Sequence, residues 1–380
     1  MEVKCCLKRF KLDMRLMKEI DKTLLFSMIA LVLYGILNIY LCTKGGKYDG
    51  IAFKQLALLI VSLVLLYFFL SIDYTIIMNY VPLFYWGSIV LLIVTMFFGA
   101  EINGAKGWIR LGPLSIQASE FAKIGIILML AKKLEEMEGK INDVKNFFTL
   151  VFYAAVPVAF IIIQPDMGMT MVCFFIVLGI FFVAGLDIRI IGGGLATLAI
   201  GIIIIFNSDI LPAYQKSRFT AFLNPEADYA GNGYHLAQSL IGIGSGGILG
   251  SRPSLRIDGS TGYAAQNVPE VHTDFIFSAI AEQLGLVGAI FLLVLYGILI
   301  YQMICIARTS KDICGSIICA GIISYFLHAI LQNIGMTIGL LPITGITLPL
   351  ISYGGSSLVT TVLSIGLVLN VGMRRKKIHF

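Results

Sequence analysis

Charged residues are scarce in this chain. Asp, Glu, Lys and Arg make up 13% of its 380 residues and hydrophobic residues 58%, whereas about a quarter of a soluble domain is charged. Apolar runs of about 18 residues or more recur along the sequence, and they lack the period of two that a transmembrane barrel requires. The composition therefore predicts an all-α polytopic membrane protein and excludes a soluble domain.

Several common functional signatures are also missing. The seven cysteines have no metal-ligand spacing and the four histidines are scattered, which argues against a metal cluster or a disulfide framework. No Lys-Ser or Lys-Thr follows Gly244-Ser-Gly-Gly247, so this stretch is not a P-loop. The formal charge of +6 does not indicate a nucleic-acid partner, because the basic residues are grouped by loop as membrane topology requires.

The apolar runs predict about ten membrane spans. These spans cover residues 24–42, 52–71, 81–99, 117–132, 148–163, 169–185, 189–206, 274–303, 313–338 and 348–371. Residues 24–371 thus form one membrane domain between a basic amino-terminal segment, 1–23, and a basic carboxyl-terminal segment, 372–380. The longest connection, 207–273, follows the seventh span, and its glycine-rich stretch 231–247 predicts an interfacial or re-entrant segment.

Basic residues predict the orientation. Lys and Arg are concentrated in both terminal segments and in the loops 132–147 and 304–312, so the positive-inside rule places both termini in the cytoplasm. The segments 100–120, 164–168 and 207–273 then face outward, yet they carry Arg110 and Arg218. Cations on that side indicate an anionic partner, either a lipid headgroup or a phosphorylated substrate. The alternative is that these side chains reach lipid phosphates at the membrane surface.

Ionisable residues also lie within or beside the spans. Glu120 and Lys123 are spaced i,i+3 on one helix face, and such a pair should face protein or a water-filled cavity, in a structural or a functional role. Asp166 follows Pro165 at another boundary, as a helix cap or a cavity acid. Asp274 either caps the helix that follows it or serves a site at the membrane surface. Glu282 is interpreted as a buried structural acid.

Motifs spread over residues 100–370 resemble those of one family. They are Gly104-Ala-Lys-Gly-Trp-Ile-Arg-Leu-Gly112, Ser119-Glu-Phe-Ala-Lys123, Gln164-Pro-Asp166, Phe222-Leu-Asn-Pro225, Gly233-Tyr-His235 with Gln238-Ser239, Ile243-Gly-Ser-Gly-Gly247, Pro269-Glu-Val-His-Thr-Asp-Phe-Ile-Phe277 and Pro349-Leu-Ile-Ser-Tyr-Gly-Gly-Ser-Ser357. In this order they resemble the SEDS family of membrane proteins, which includes RodA, FtsW and SpoVE, and Asn333-Ile-Gly-Met-Thr-Ile-Gly339 favours the RodA branch.

The resemblance implies a peptidoglycan glycosyltransferase of the bacterial cytoplasmic membrane. Its substrate would be lipid II, polymerised into glycan strands at the outer face during elongation, division or sporulation. Its partners would be membrane lipids and a class B penicillin-binding protein that crosslinks the strands. The family's catalytic acid corresponds to Asp274. The resemblance leaves open a divalent cation, Mg²⁺ or Mn²⁺, with Asp274 as a ligand.

The implied reaction assigns roles to the polar residues. An acceptor sugar hydroxyl needs a general base, for which Asp274 is the candidate, and the departing pyrophosphate needs cations. The candidate substrate contacts are Trp108, Arg110, Glu120, Lys123, Asp166, Arg218, Gln238, Ser239, His272, Thr273 and Ser352. Trp108 stacks on a sugar, lies along the prenyl chain or anchors at the interface. His272 and Glu270 either tune Asp274 or are ordinary loop residues.

Two other functions fit a membrane protein with embedded charges. A flippase for lipid II or another amphiphile would need polar groups through the full membrane thickness. A polymerase needs them crowded at one face, as the predicted topology has them, and the absence of an internal repeat also argues against an inverted-repeat transporter. A non-catalytic scaffold for a penicillin-binding protein is the third alternative, although a scaffold has no need of a carboxylate among outward cations.

Overall fold

The computed structural model describes residues 18–45, 48–102, 105–111, 114–207, 222, 232–251 and 262–375. Within them the chain is mostly helical. The helices are α1 Lys22–Thr43, α2 Ile51–Ser71, α3 Tyr74–Phe98, α4 Ala118–Glu136, α5 Val144–Ile163, α6 Met167–Val183, α7 Ile188–Asn207, α8 Asn232–Gly246, α9 Tyr263–Asn267, α10 Ile276–Arg308, α11 Ile313–Thr337 and α12 Gly355–Met373.

Seven of the described helices, α1, α2, α3, α5, α10, α11 and α12, are long and apolar enough to cross a membrane. The most apolar 18-residue windows of α11 and α12 are 78% and 83% buried, against 22–44% in the other five. Because lipid surrounds the outer helices, their exposed apolar side chains need no protein partner. Helices α11 and α12 are therefore the centre of a helical membrane bundle, as the apolar runs predict, whereas the total of ten spans stays a prediction.

Several helices begin at an aspartate. The carboxylates of Asp21, Asp73 and Asp312 accept hydrogen bonds from the N–H groups of Leu24, Thr75 and Gly315 at 2.9, 3.0 and 2.7 Å. A carboxylate in this position satisfies an unpaired backbone donor and interacts well with the positive end of the helix dipole. The caps fix where α1, α3 and α11 start.

The segment 100–117 corrects the all-α prediction. It forms a three-stranded antiparallel sheet of β1 Ala100–Ile102, β2 Ala105–Leu111 and β3 Leu114–Gln117, in the order β1-β2-β3. Helix α4 starts directly after β3. This sheet packs against the ends of α3, α4 and α12. A polar loop was predicted here because the alternation in these strands is too short to stand out beside long apolar runs.

Other boundaries differ from the predicted spans. Helix α3 begins at Tyr74, seven residues before the predicted start, because Asp73 caps it there. Helix α12 begins at Gly355, so residues 348–354 of the tenth predicted span are not helical. Irregular backbone at this depth is tolerated where protein buries it or where it lines a cavity, and this stretch does both. Helix α8 lies within the stretch 231–247, and its interfacial or re-entrant placement stays a prediction.

Helix α10 is interrupted near its start. Gly285 has φ of +65° and breaks the helix, which only glycine does without strain. The N–H groups of Leu286 and Val287 donate to the carbonyls of Gly247 and Ile248 at 3.0 and 3.2 Å. The segment after α8 thus replaces the acceptors that the break removes, and it docks α8 against α10.

Candidate active site

A cavity of about 300 Å³ lies among the ends of several helices. Its walls are the end of the sheet, the first turns of α4 and α6, the turn before α10 and the segment 344–357. We call it the central cavity. Its polar lining residues include Trp108, Gln117, Glu120, Lys123, Asp166, Glu270, Thr273, Asp274, Thr344, Tyr353 and Ser356. Chain segments far apart in sequence therefore place several predicted site residues around one space.

Helix α4 contributes a buried ion pair to the central cavity. Lys123 Nζ lies 2.7 Å from Glu120 Oε2, with the two side chains 1% and 5% exposed. The ammonium group also lies over the ring of Tyr325, 3.7 Å from its centroid. The hydroxyl of Thr360 on α12 donates to Glu120 Oε2 at 2.5 Å. The predicted pairing of Glu120 with Lys123 away from lipid is confirmed, and Thr360 is a partner that sequence reasoning missed.

Asp166 serves as both a cap and a cavity acid. Its Oδ1 accepts from the N–H of Met169 at 3.0 Å, which caps α6. Its Oδ2 accepts from the side-chain amide of Gln117 at 3.1 Å. Both Asp166 and Gln117 line the central cavity. Asp166 is therefore both a helix cap and an acid on the cavity lining, the two roles that were predicted as alternatives.

Asp274 lies in the turn between α9 and α10 and lines the central cavity. Helix α10 has Phe275 as its N-cap residue, with no side-chain cap hydrogen bond. Phe275, and not Asp274, therefore occupies the N-cap position of α10. The backbone of Gly345, which has φ of +74°, lies close to the Asp274 carboxylate. A Cβ atom added at Gly345 would lie 3.5 Å from Asp274 Oδ2.

Of the two predicted site residues in the sheet, Trp108 lines the central cavity and Arg110 does not. Trp108 pairs with Gln117 across β2 and β3, and both residues line the cavity. Arg110 pairs with Ser115 in the same sheet but is exposed and lies outside the described lining of the cavity. Arg218 falls outside the described residues.

A second cavity, of about 420 Å³, borders the first at Glu270. Tyr48 and His272 line it, with their ring centroids 4.3 Å apart. Burial lowers the pKa of His272, against a smaller opposing effect of Glu270. His272 is therefore neutral at pH 7. His272 lines the second cavity and not the first, and its ring also contacts that of Tyr353, 6.0 Å between centroids.

Gln238, Ser239 and Ser352 are engaged within the protein. Gln238 accepts from the hydroxyl of Tyr263. The fully buried hydroxyl of Ser239 lies 2.5 Å from that of Ser278 and donates to the carbonyl of Thr337 at 2.8 Å. Ser352 accepts from the N–H of Leu348 at 2.8 Å and donates to the carbonyl of Thr273 at 2.6 Å. These contacts hold the three side chains within the protein, and their predicted contact with the substrate stays a prediction.

Glu282 is a structural acid, as predicted. It is 3% exposed, and its two carboxylate oxygens accept from the N–H groups of Tyr263 and Ala264 at 2.6 and 2.8 Å. These donors are at the start of α9, where a negative charge is favourable. Glu282 thereby ties α9 to α10.

Within the described part of the chain, no three His, Cys, Asp or Glu residues come together as a metal site. The carboxylates that line the central cavity thus do not make a protein-only site for Mg²⁺ or Mn²⁺.

Comparisons with known proteins agree along nearly the whole chain. The sequence profile of the FtsW/RodA/SpoVE family, described as cell cycle protein, matches residues 18–377. Among curated relatives, the peptidoglycan glycosyltransferase MrdB of Escherichia coli is 34% identical, covering 94% of this chain and 95% of its own. The stage V sporulation protein E of Bacillus subtilis is 33% identical, covering 93% and 98%.

Solved structures show the same fold. A chain in the structure titled "Structural coordination of polymerization and crosslinking by a peptidoglycan synthase complex" matches with a TM-score of 0.80 and 31% identity, covering 93% of this chain and 97% of that one. The crystal structure of the rod shape determining protein RodA of Thermus thermophilus matches with a TM-score of 0.71 and 29% identity, covering 94% and 98%. The chain therefore belongs to the FtsW/RodA/SpoVE family of bacterial multi-pass membrane proteins.

Proposed function

We propose that this protein is a peptidoglycan glycosyltransferase that polymerises lipid II, with Asp274 as its general base. Relatives named peptidoglycan glycosyltransferase cover nearly the whole chain. The observation that carries the assignment of Asp274 is its place on the lining of the central cavity, which it shares with Lys123 and the Glu120 that pairs with it. A base and a cation on one cavity suit a reaction in which a hydroxyl attacks and a phosphate leaves.

In the proposed reaction, the 4-hydroxyl of an acceptor GlcNAc attacks C1 of a donor MurNAc. The new bond is a glycosidic C–O bond, and the bond that breaks joins C1 to the pyrophosphate. Asp274 takes the hydroxyl proton, a contribution typically of about 10²- to 10⁴-fold. The leaving pyrophosphate keeps the electron pair of the broken bond.

The leaving group accumulates negative charge, so cations aimed at it favour the transition state. Lys123 is the cation on the described lining of the central cavity. Glu120 and Thr360 hold its position, and the buried surroundings strengthen its field. Arg110 and Arg218 remain proposed contacts for the lipid-linked phosphates, and Trp108 for a sugar.

The proposed orientation puts both termini in the cytoplasm and the central cavity at the outer face. The distribution of Lys and Arg over the loops supports it. A class B penicillin-binding protein is the proposed partner. The structure titled as coordinating polymerization and crosslinking in a peptidoglycan synthase complex supports a partner that crosslinks.

The experiment that tests this activity uses the purified protein with its penicillin-binding partner and labelled lipid II. A β-lactam blocks the partner's crosslinking, so any polymer is uncrosslinked glycan. We expect glycan strands to form. The same preparation in vesicles is assayed for movement of labelled lipid II between leaflets. Movement without polymer would replace the polymerase assignment with a flippase, and neither activity would replace it with a scaffold.

A further inference from the structure

The backbone that carries Asp274 is held at three consecutive carbonyls. The carbonyl of His272 accepts from the N–H of Tyr353 at 2.9 Å, and that of Thr273 accepts from the hydroxyl of Ser352 at 2.6 Å. The carbonyl of Asp274 accepts from the side-chain amide of Asn333 at 2.8 Å. A non-helical turn has no internal ladder to satisfy these acceptors. The donors come from α11 and from the segment before α12, and they fix the turn against the cavity wall.

Asn333 makes a second contact of the same kind. Its amide nitrogen also donates to the carbonyl of Ile346 at 2.7 Å. Because both partners are carbonyls, the NH₂ group must face them, which settles the orientation of the amide. The Asn333 Oδ1 atom is buried without a hydrogen-bond partner within the described residues. Asn333 therefore acts in this structure through the N–H donors of its side-chain amide and not through its oxygen.

The two carbonyls belong to two different chain segments of the cavity lining. Asp274 provides the carboxylate, and Ile346 follows Gly345, whose backbone lies beside Asp274 Oδ2. Asn333 itself is fully buried and is not part of the lining. One NH₂ group thus sets the separation between the carboxylate and the loop that faces it.

We propose that Asn333 is the positioning residue of Asp274, acting by bridging the carbonyls of Asp274 and Ile346. This inference rests on the proposed role of Asp274 as general base. Asn333 is fully buried and lies outside the described cavity lining, so its loss should misplace the base without removing it. A displacement of about 1 Å at a reacting group can cost about 100-fold in rate.

The neighbouring Gln332 supplies a matched control. It is similarly buried, at 4% exposed, and its side-chain amide donates to the carbonyl of Pro342 at 2.9 Å. Gln332 therefore joins the same helix to the same loop through the same kind of hydrogen bond. It does not contact the turn of Asp274. Leucine at either position removes the donors at similar volume.

The test compares Asn333→Leu and Gln332→Leu in the full chain with its partner and labelled lipid II. Turnover at saturating lipid II, KM, the stoichiometry of lipid II binding and Tm are measured on each. We expect Asn333→Leu to lower turnover by about 10- to 100-fold per binding-competent molecule, with KM changed less than about two-fold. Gln332→Leu should show a similar fall in Tm and turnover within about two-fold of wild type.

Equal turnover in Asn333→Leu and wild type, or an equal loss in both leucine variants, would overturn the inference. If Asn333→Leu does not fold, Asn333→Ser replaces it, since a serine hydroxyl can donate to only one of the two carbonyls. The expected loss of turnover is then smaller but still larger than in Gln332→Leu. An Asp274→Asn variant assayed in parallel separates the two failures. If it polymerises normally, the general-base assignment has failed and the positioning role of Asn333 falls with it; if it is inactive while Asn333→Leu is normal, only the positioning role is overturned.

Discussion

One ion pair lies in the first turn of helix α4 and another in the turn just beyond its last residue. The two pairs share one N–O distance but not one environment. Lys123 and Glu120 are 2.7 Å apart and 1% and 5% exposed. Lys140 and Glu138, just beyond the other end, are also 2.7 Å apart but 65% and 77% exposed. Solvent and salt screen the exposed pair, whereas the buried pair must offset the cost of removing two charges from water. Distance alone thus says little about what a pair contributes.

A buried pair is weak support for stability, because apolar residues of similar volume often serve as well. Under the proposed function, a cation on the lining of the central cavity has a task that Met or Leu could not perform. The exposed pair has no such setting. The comparison predicts that breaking the buried pair lowers Tm much more than breaking the exposed pair. It also predicts that two apolar residues in place of the buried pair restore Tm but not polymerisation.

The largest effect on stability is expected from breaking the buried pair. Lys123→Met leaves Glu120 buried with the hydroxyl of Thr360 as its remaining described partner. An uncompensated buried charge costs about 3–5 kcal/mol. We expect a large fall in Tm, measured in detergent by intrinsic fluorescence. An unchanged Tm would mean that water reaches Glu120 and that the pair is not buried in solution.

Replacing both partners sharpens the comparison. Glu120→Leu combined with Lys123→Met removes both charges and fills the space with apolar atoms, so Tm should recover most of what the single variant lost. Polymerisation of lipid II should stay low, because the cavity then lacks its cation. A double variant with wild-type polymerisation would show that the pair is structural only.

A smaller effect is expected from pH at the turn beside the cavity. Burial lowers the pKa of His272 below its ordinary value of 6.5, so the unfolded chain binds a proton there before the folded protein does. The contribution of neutral His272 to stability is complete above pH 6.5 and declines as the pH falls below it. The fall in Tm between pH 7 and pH 5 should be shallower in His272→Gln. Parallel curves for the two proteins would contradict this assignment.

The smallest effect is expected at the exposed pair. Lys140→Met removes a charge that water already solvates, and surface pairs commonly contribute nothing measurable. The Tm of this variant should match that of wild type at both low and high salt. A clear loss at low salt would mean that Lys140 interacts with more than Glu138, and the two ends of α4 would then be less different than proposed.

The helices and the Glu120–Lys123 pair were predictable because each has a local signal in the sequence. Long apolar runs predicted the helices, and the spacing of Glu120 and Lys123 predicted their pairing, because neighbours on a helix face meet whatever the tertiary fold. The family motifs brought Asp166 and Asp274 forward as site residues. Their convergence on one cavity with Trp108 followed from the family resemblance and not from residue spacing.

The parts that were missed depend on contacts between distant segments. Nothing local marks Thr360 as the partner of Glu120, 240 residues away in sequence, or Asn333 as the partner of Asp274. A general signal was available, since polar residues inside apolar spans are costly unless they are paired. It identifies Asn333 and Thr360 as important without naming their partners. The small sheet was missed because its strands are short and their pairing is set by packing against helix ends.

The central claim is that Asp274 is the base of a glycan polymerase, and one measurement tests it most directly. Lipid II polymerisation by Asp274→Asn is compared with wild type, with Tm and lipid II binding measured on the same samples. Asparagine keeps the volume and cannot accept the proton. We predict a loss of about 10²- to 10⁴-fold in turnover with Tm and binding close to wild type. Polymerisation at the wild-type rate by a folded Asp274→Asn protein would contradict the account.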